Sequence, residues 1–300
     1  MRTSVIIPNY NYAEFLPFAI DSALAQSDSI DEIIVVDDGS ADHSKEVLAR
    51  YGDKIISIFQ ENQGQASAFN TGFERSTGDI IFFLDADDLF APNKVETIKA
   101  LYQTNEDVAW IFHMLQHVSA QEACTYKDEA VHHDNQEHLI IDQRAKILNG
   151  KISYDSPATS GLSFRREFIA PLFPLPIAAS VSISDHYIKF YSLSKAAGMH
   201  LDTKLGCQII HDNNFYTGQK STTALKARIF INTAICLLKV NPHLKRFCNS
   251  IFEEGLLCSH KSGIYNEMRP LIASYQGQMS AFDEFYMKFR LFIKKILRRS

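Results

Sequence analysis

The sequence IIFFLDADDLF, residues 80–90, places Asp85, Asp87 and Asp88 directly after an apolar run that is typical of a buried strand. Carboxylate oxygens are good ligands for Mg²⁺ or Mn²⁺, and such ions commonly bind through one or two carboxylates together with substrate phosphates. The alternative is that Asp85 or Asp88 caps the following helix, a role that aspartates often fill. The stretch therefore predicts either a ligand site or a helix cap at the end of a core strand.

Three similar strand patterns precede this stretch, and helical patterns separate them. The strand patterns are SVIIP at 4–8, IDEIIVVDD at 30–38 and KIISIFQ at 54–60. Short apolar strands that alternate with helices predict an α/β fold with an open, twisted, mainly parallel sheet and helices on both faces. Later segments predict further strands near Trp110 and at 160–165, and a helix at 184–198. From residue 219 onward only helical patterns follow.

We therefore divide the chain into a domain at 1–218 and a helical C-terminal extension at 219–300. Within the first domain, residues 1–110 contain the strand–helix repeats and residues 111–218 form a second half. Ligands of such sheets bind beyond the carboxyl ends of the strands. The polar strand ends at 8–10, 37–40, 62–64 and 85–88 are thus expected to meet at one edge.

Two of these strand ends have features that favour a nucleotide. Asp38 can accept a hydrogen bond from a base or a ribose, although an Asx turn with a capping Ser40 explains the same residues. Gly64 lies at a predicted helix entrance, where backbone amides and the helix dipole favour an anion. Ala68 and Gly72 would let that helix pack closely on the sheet. No G-x-G-x-x-G or Walker pattern occurs in the chain, which disfavours dinucleotide and P-loop sites.

The composition excludes several classes of protein. The 300 residues have a formal net charge of −5, so no global field favours nucleic acid, and we expect no nucleic-acid partner. Five scattered cysteines without a CxxC pair argue against a disulfide framework and a structural zinc site. No apolar run approaches the length of a membrane span or of a signal peptide. These features predict a cytoplasmic protein.

Four motifs together resemble the family 2 glycosyltransferases, which are inverting enzymes of the GT-A fold. The motifs are SVIIPNYNYAEFLPFAIDSALAQS, DEIIVVDDGSADHS, ENQGQASAFNTGFERSTGDIIFFLDADD and TSGLSFRREF. They occur in the order and spacing of the family and cover residues 3–218. The resemblance implies transfer of a sugar from a nucleotide-sugar donor, by family habit a UDP-sugar.

The resemblance also implies roles for the residues at the strand ends. Asp87 is expected to bind a divalent cation, Mn²⁺ or Mg²⁺, and Asp85 to face the ribose or sugar, which leaves Asp88 as the structural cap. His211, in IIHDNN, is expected to complete the metal shell or to donate to phosphate. The nucleotide-sugar contacts are assigned to Pro8, Asn9, Tyr10, Asp38, Asn62, Gly64, Asp85, Ala86 and Asp87.

Fewer residues can be assigned to the acceptor side of the predicted site. Asp185 lies where the family places its catalytic base, at the start of a helix, but Ser184 replaces the acid that commonly precedes it. An N-cap role is the alternative for Asp185. Arg165 and Arg166 match a basic pair of the family on the acceptor side, or are surface ion-pair partners. The implied acceptor is a hydroxyl of a glycan, a lipid-linked sugar or a surface polysaccharide.

Two other functions would also use a nucleotide-binding α/β sheet. A sugar nucleotidyltransferase would have a glycine-rich, basic loop after the first strand, where this chain has PNYNYAEF. A catalytically silent binding module is the other alternative, and the presence of both Asp87 and Asp185 argues against it.

Two further segments attract attention. The histidines at 132, 133 and 138, in VHHDNQEHL, could suggest a metal site, but their polar neighbours and the lack of an HExxH register favour a solvated loop that lines the acceptor entrance. The C-terminal segment FDEFYMKFRLFIKKILRRS has six basic residues and no acid from Met287 onward. On a helix its apolar residues share one side, so residues 285–300 form a basic amphipathic helix that either contacts the cytoplasmic face of a membrane or packs on the preceding helices.

Overall fold

The computed structural model describes residues 1–123, 139–151, 157–177, 184–211 and 223–297. It divides into two compact units. The first comprises Met1–Gln143 and Tyr154–Asn214, and the second comprises Arg144–Ser153 and Phe215–Ser300. The segment 144–153 thus groups with the second unit, whereas the sequence assigned it to the first. The histidines at 132, 133 and 138 lie outside the described residues.

The first unit begins with the predicted alternation of strands and helices. Its elements in chain order are β1 (Thr3–Asn9), α1 (Leu16–Leu24), β2 (Glu32–Asp37), α2 (Ser44–Ala49), β3 (Ile56–Phe59), α3 (Gln65–Arg75), β4 (Ile80–Phe83), β5 (Asp88–Phe90), α4 (Lys94–Thr104), β6 (Trp110–Ser119), α5 (Ala120–Ala123), β7 (Leu139–Ile141), β8 (Leu162–Arg165), α7 (Arg166–Ile169), α8 (Ser184–Lys195) and β9 (Gly198–Ile210). The short helix α6 (Arg144–Leu148) belongs to the second unit.

The strands form one sheet of order β3-β2-β1-β4-β8-β6-β9-β5, with β7 paired to β9. The first four strands are parallel, as predicted. The other half is mixed, because β8 runs antiparallel to both β4 and β6, and β9 runs antiparallel to β5 and β7. The predicted open sheet with helices is thus present, and its second half adds antiparallel pairs that the sequence did not indicate. Each of these antiparallel pairs joins segments that are far apart in the sequence and have helices between them.

The helix α3 packs closely on the strands of the first half, as the small residues in it predicted. A side-chain carbon on Gly72 would collide with Ile6 of β1. Ala68, fully buried, packs against Ile34 and Val36 of β2. This close approach fixes where α3 begins, and its first residues consequently lie at the carboxyl ends of β1, β2 and β4.

The second unit consists of helices in the described residues. Its long helices are α9 (Thr223–Val240), α10 (Lys245–Ser262), α11 (Tyr265–Gln276) and α12 (Ala281–Leu297). Gly255 of α10 faces Ile231 of α9, and the rings of Phe252 and Tyr275 stack at 4.0 Å between α10 and α11. Close contact at a small residue and an aromatic pair thus hold these helices together.

Candidate active site

The carboxyl ends of β1 and β2 are tied together by side chains at the strand termini. Asn9 and Asp37 are register partners, and the Asn9 amide nitrogen donates to the Asp37 carboxylate over 2.8 Å and to Ser40 Oγ over 3.2 Å. The Ser40 amide donates to the other Asp37 oxygen over 3.0 Å. Asn9 is almost fully buried, so the structure gives it a role in shaping the turn at the predicted nucleotide site.

Asp38 stabilises the loop that leads into α3 through hydrogen bonds. Its carboxylate accepts hydrogen bonds from the Gln60 side chain, the Gln63 amide and the Gly64 amide at 2.7, 3.0 and 2.7 Å. The Gly64 amide, which the sequence suggested for an anion, is thus engaged by Asp38. Gly39 has φ +77°, and a side-chain carbon there would lie 2.8 Å from the Asn62 amide nitrogen, so the turn requires glycine.

Asp85 lies at the end of β4 and is held in place from two sides. Its Oδ1 accepts a hydrogen bond from the Gln65 side chain, in the first turn of α3, over 2.9 Å. Its backbone amide donates to Ser160 Oγ over 3.0 Å, and that hydroxyl donates to Asp88 over 2.5 Å. Ser160 therefore links the backbone of Asp85 to the side chain of Asp88.

Asp88 is not a helix cap, contrary to the prediction. It is the first residue of β5, it is buried, and it accepts hydrogen bonds from Ser160 and from the Ile209 amide. The helix α4 begins at Lys94, which is also buried and donates to the Ser160 carbonyl over 2.6 Å. Burial, and then the charges of Asp87 and Asp85, raise the pKa of Asp88 well above its usual range.

Asp87 and His211 come together from distant parts of the sequence. His211 Nε2 lies 3.1 Å from Asp87 Oδ2, and the imidazole stacks on the ring of Phe15 with centroids 4.2 Å apart. A carboxylate and an imidazole suit Mn²⁺ or Mg²⁺ when phosphate oxygens and water complete the shell. In the described part of the chain no three such side chains converge on one point, so a cation here would need ligands from the substrate.

The candidate base Asp185 lies in the first turn of α8, between two nitrogen groups of the same helix. Lys189 Nζ is 3.1 Å from Oδ2, and His186 Nδ1 is 2.8 Å from Oδ1. Lys189 is buried and also donates to the Pro157 carbonyl over 3.0 Å. Burial alone would raise the pKa of Asp185, but His186 and Lys189 hold it well below its usual range. About 30% of the side chain stays exposed, so a substrate can reach it.

The carboxyl group of Asp85 lies near enough to those of Asp87 and Asp185 to be influenced by their charges. Burial, followed by the charges of Asp87 and Asp185, raises the pKa of Asp85 to about 8. A group of acids that repel one another is stabilised by any cation placed among them. The described strand ends therefore form an edge with an excess of negative charge.

The remaining predicted contacts surround this edge. Pro8 pairs with Val36 inside the sheet, and Ala86 is buried between the two site aspartates. Tyr10 is 46% exposed, and Asn62 is also exposed in the loop that Asp38 fastens. Gly64 is exposed as well, and Asp85 and Asp87 are half-buried.

Arg165 and Arg166 do not lie with the acids. Arg165 is the register partner of Ile80, at the amino end of β4, roughly 16 Å of extended chain away from Asp85. Its guanidinium donates to the carbonyls of Val108, Tyr102 and Asn105. Arg166 donates to Ser76 and to the Phe73 carbonyl, and it covers the Phe73 ring. The two arginines therefore anchor strand and helix ends, and the structure places neither at the carboxyl edge where an acceptor was expected.

Two residues near this edge were not predicted from the sequence. Lys189 follows Asp185 by four residues, a spacing that places both side chains on one side of a helix and that could have been noticed. Ser160 reaches Asp85 and Asp88 across more than seventy residues of sequence. Nothing local marks such a serine as important.

Comparisons with known proteins agree with this architecture. An uncharacterised glycosyltransferase of Nostoc sp. is 42% identical over 179 residues, which is 58% of this chain and 54% of that protein. Another from Rickettsia typhi is 48% identical over 93 residues, 31% of this chain and 29% of that protein. The chain thus spans about half or less of these relatives.

Two solved structures share the fold. Staphylococcus aureus TarS (1–349), in complex with UDP-GlcNAc, has a TM-score of 0.62 at 15% identity, covering 91% of this chain and 79% of that one. The mannosyltransferase PcManGT of Pyrobaculum calidifontis, in complex with GDP-Man and Mn²⁺, has a TM-score of 0.55 at 15% identity, covering 97% and 80%. The family model for glycosyl transferase family 2 matches residues 4–167, more than half of the 300 residues, and so the chain belongs to glycosyltransferase family 2.

Proposed function

We propose that this protein is an inverting glycosyltransferase that moves a sugar from a nucleotide-sugar donor to a hydroxyl of an acceptor. The observation that supports this most directly is the meeting of Asp85, Asp87 and His211 with the candidate base Asp185 at one sheet edge. The first three suit a metal-bound diphosphate, and the fourth suits an acceptor hydroxyl.

The donor half of the proposed site is the edge formed by β1, β2, α3 and β4. Tyr10 and Asn62 would contact the nucleotide from the rim, and Asp85 would face the ribose or sugar. Asp87 and His211 would hold a divalent cation, whose positive charge would stabilise the departing diphosphate. The structural neighbours were solved with UDP-GlcNAc and with GDP-Man, so both bases are candidates, and family habit favours UDP.

The acceptor half of the proposed site centres on Asp185. Its carboxylate takes the proton of the acceptor hydroxyl, and that oxygen attacks the anomeric carbon. The bond from the anomeric carbon to the diphosphate oxygen breaks, and the diphosphate leaves with the electron pair. A single displacement inverts the anomeric centre. Lys189 and His186 keep the carboxylate ionised among its acidic neighbours, so that it can accept the proton. We infer a glycan, lipid-linked or surface-polysaccharide acceptor.

The test is a screen of UDP- and GDP-sugars with Mn²⁺ or Mg²⁺, with release of nucleoside diphosphate as the readout. We expect one donor to be turned over in a metal-dependent way, and both Asp87→Ala and Asp185→Ala to lose the activity. Asp202→Ala is the matched control, because the Asp202 side chain is 99% exposed on β9.

Three outcomes would contradict the proposal. Metal-dependent turnover that survives both substitutions would remove the assigned mechanism. Release of pyrophosphate from a nucleoside triphosphate and a sugar phosphate would instead identify a sugar nucleotidyltransferase. Tight donor binding without turnover of any donor would identify a silent binding module.

A further inference from the structure

The helix α12 has one buried side and one exposed aromatic side. Met287 is 2% exposed, and ion pairs join Asp283 to Lys245 and Arg290 to Glu253, so this side packs on α10. On the other side four large side chains are exposed by 74, 69, 52 and 53%. We name them the aromatic row: Phe282, Phe285, Tyr286 and Phe289.

The spacing of the aromatic row is that of a single helical stripe, i, i+3, i+4 and i+7. The sequence repeats this spacing onward with Phe292, Ile293 and Ile296. From 282 to 289 the aromatic row extends for about 10 Å along the helix. Soluble proteins seldom leave a contiguous apolar surface facing water, and such surfaces mark interaction sites. One side of α12 thus packs on α10, which is one of the two alternatives that the sequence left open, and the aromatic row lies on the other side.

The charge of the segment distinguishes between partners for this surface. The acids of the helix, Asp283 and Glu284, are paired with Lys245 and Lys288. From Met287 to the end the sequence has six basic residues and no acid. Two copies that met through this surface side by side would bring these cations together, whereas anionic lipid headgroups would neutralise them. Within the described residues, no helix is both long and apolar enough to cross a bilayer, so contact would be interfacial.

We propose that the aromatic row and the basic segment that follows it bind the surface of an anionic membrane. The aromatic side chains enter the boundary between headgroups and acyl chains, and the lysines and arginines lie among the phosphates. The side of α12 that packs on α10 keeps the helix attached to the second unit. This inference goes beyond the proposed transfer reaction and does not depend on it.

The experiment is co-sedimentation of the full chain with vesicles, without any sugar nucleotide. One set of vesicles is phosphatidylcholine, and the other is an equal mixture of phosphatidylcholine and phosphatidylglycerol. We expect binding to the anionic vesicles at least about tenfold stronger than to the neutral ones. It should weaken strongly near 1 M salt, where the Debye length is about 3 Å.

Two variants separate the apolar from the charged contribution. Phe285→Ser with Phe289→Ser should lower binding at least about tenfold, because it removes two of the inserted rings. Lys294→Gln with Lys295→Gln should lower binding to anionic vesicles about tenfold and leave the neutral ones unaffected. Phe59→Ser is the control, since Phe59 is 51% exposed on β3 of the first unit. Circular dichroism would show that each variant keeps its helices.

The following results would overturn the proposal. Unchanged vesicle binding in the Phe285→Ser, Phe289→Ser variant would exclude the aromatic row as the contact. Equal binding to neutral and anionic vesicles would exclude the basic segment. A lipid-free dimer that the same double substitution dissociates, together with no vesicle binding, would show that a second copy covers this surface.

Discussion

The charged residues at the two ends of the central sheet have different electrostatic surroundings. At the amino end Glu32 accepts hydrogen bonds from Ser4 and Thr77, at 2.6 to 2.7 Å, and Arg166 donates to Ser76 and Phe73. Burial alone would raise the pKa of Glu32, but the bonds from Ser4 and Thr77 hold it below its usual value. Each charge at this end therefore has its partners within the protein.

At the carboxyl end Asp87 and Asp185 are also paired, with His211 and with Lys189 and His186, but Asp85 lies near other carboxylates. Asp85, Asp87 and Asp185 are near enough for their charges to raise the pKa of Asp85 to about 8, after the effect of burial. Hydrogen bonds of similar length hold the chain segments at both ends, so the two ends differ in which charges surround the acidic residues. A charged residue whose pKa is set by hydrogen-bond donors supports the fold, whereas a buried carboxyl group whose pKa is raised by neighbouring carboxylates indicates a candidate ligand site.

The largest effect should come from Asp185→Asn, which keeps the shape of the base and removes its ability to take a proton. We expect transfer to fall by about 10² to 10⁴, the usual contribution of a general base. Titration of the nucleoside diphosphate with Mn²⁺ should give nearly unchanged affinity, because the donor half is intact. Loss of nucleotide affinity equal to the loss of rate would instead place Asp185 in the donor half.

The next effect concerns the imidazole beside Asp87. His211→Ala should raise the Mn²⁺ concentration needed for half-maximal activity by about tenfold to a hundredfold, as the loss of one member of a metal site commonly does. Activity measured across a Mn²⁺ series would show this. His43→Ala, an exposed histidine at the start of α2, should leave the series unchanged. An unaltered metal requirement in His211→Ala would restrict His211 to packing on Phe15.

The third effect concerns the cation that keeps Asp185 ionised near another carboxyl group. Lys189→Met removes the cation 3.1 Å from Oδ2, so the pKa of Asp185 should rise. Since the ionised form is the base, the acidic limb of the kcat/KM profile should move to higher pH.

His186 also lowers the pKa of Asp185, and it remains in this variant, as does Asp85, whose pKa Asp185 raises. Lys189→Arg should restore most of the profile, because it restores the charge. Lys195→Met, an exposed lysine in the last turn of the same helix, is the control. A fall in rate with no displacement of the acidic limb would mean that Lys189 only supports the packing of α8.

The smallest effect on catalysis should come from the amino end. Arg166→Met should destabilise the first unit by about 1–3 kcal/mol, because three buried acceptors lose a charged donor. Urea unfolding measures this. Lys99→Met, which breaks an ion pair with Asp28 at 2.8 Å nearer the surface, should cost under about 1 kcal/mol. Turnover by the folded fraction should not change, and a specific loss of acceptor binding in Arg166→Met would return this arginine to the acceptor side.

Much of the fold was predictable because its information is local. Apolar runs of four to seven residues between helical patterns identify β1 to β4, and the small residues Ala68 and Gly72 predict how α3 packs. The antiparallel strands β8 and β5 were not predictable in direction, because strand direction depends on which neighbour a segment meets. The grouping of 144–153 with the C-terminal helices was not predictable for the same reason, because it depends on which distant segment these residues meet.

The candidate site was also predictable only in part. The amino-acid sequence alone showed which strand ends have acids, and its motifs indicated Asp87 and Asp185. The tertiary structure decided what each acid does, since hydrogen-bond partners come from distant segments. Ser160 made Asp88 part of the framework, the loop at 60–64 engaged Asp38, and the register with Ile80 placed Arg165 at the far end of the sheet. A motif records the type of a charge, but burial and partners determine whether that charge stabilises the fold or awaits a ligand.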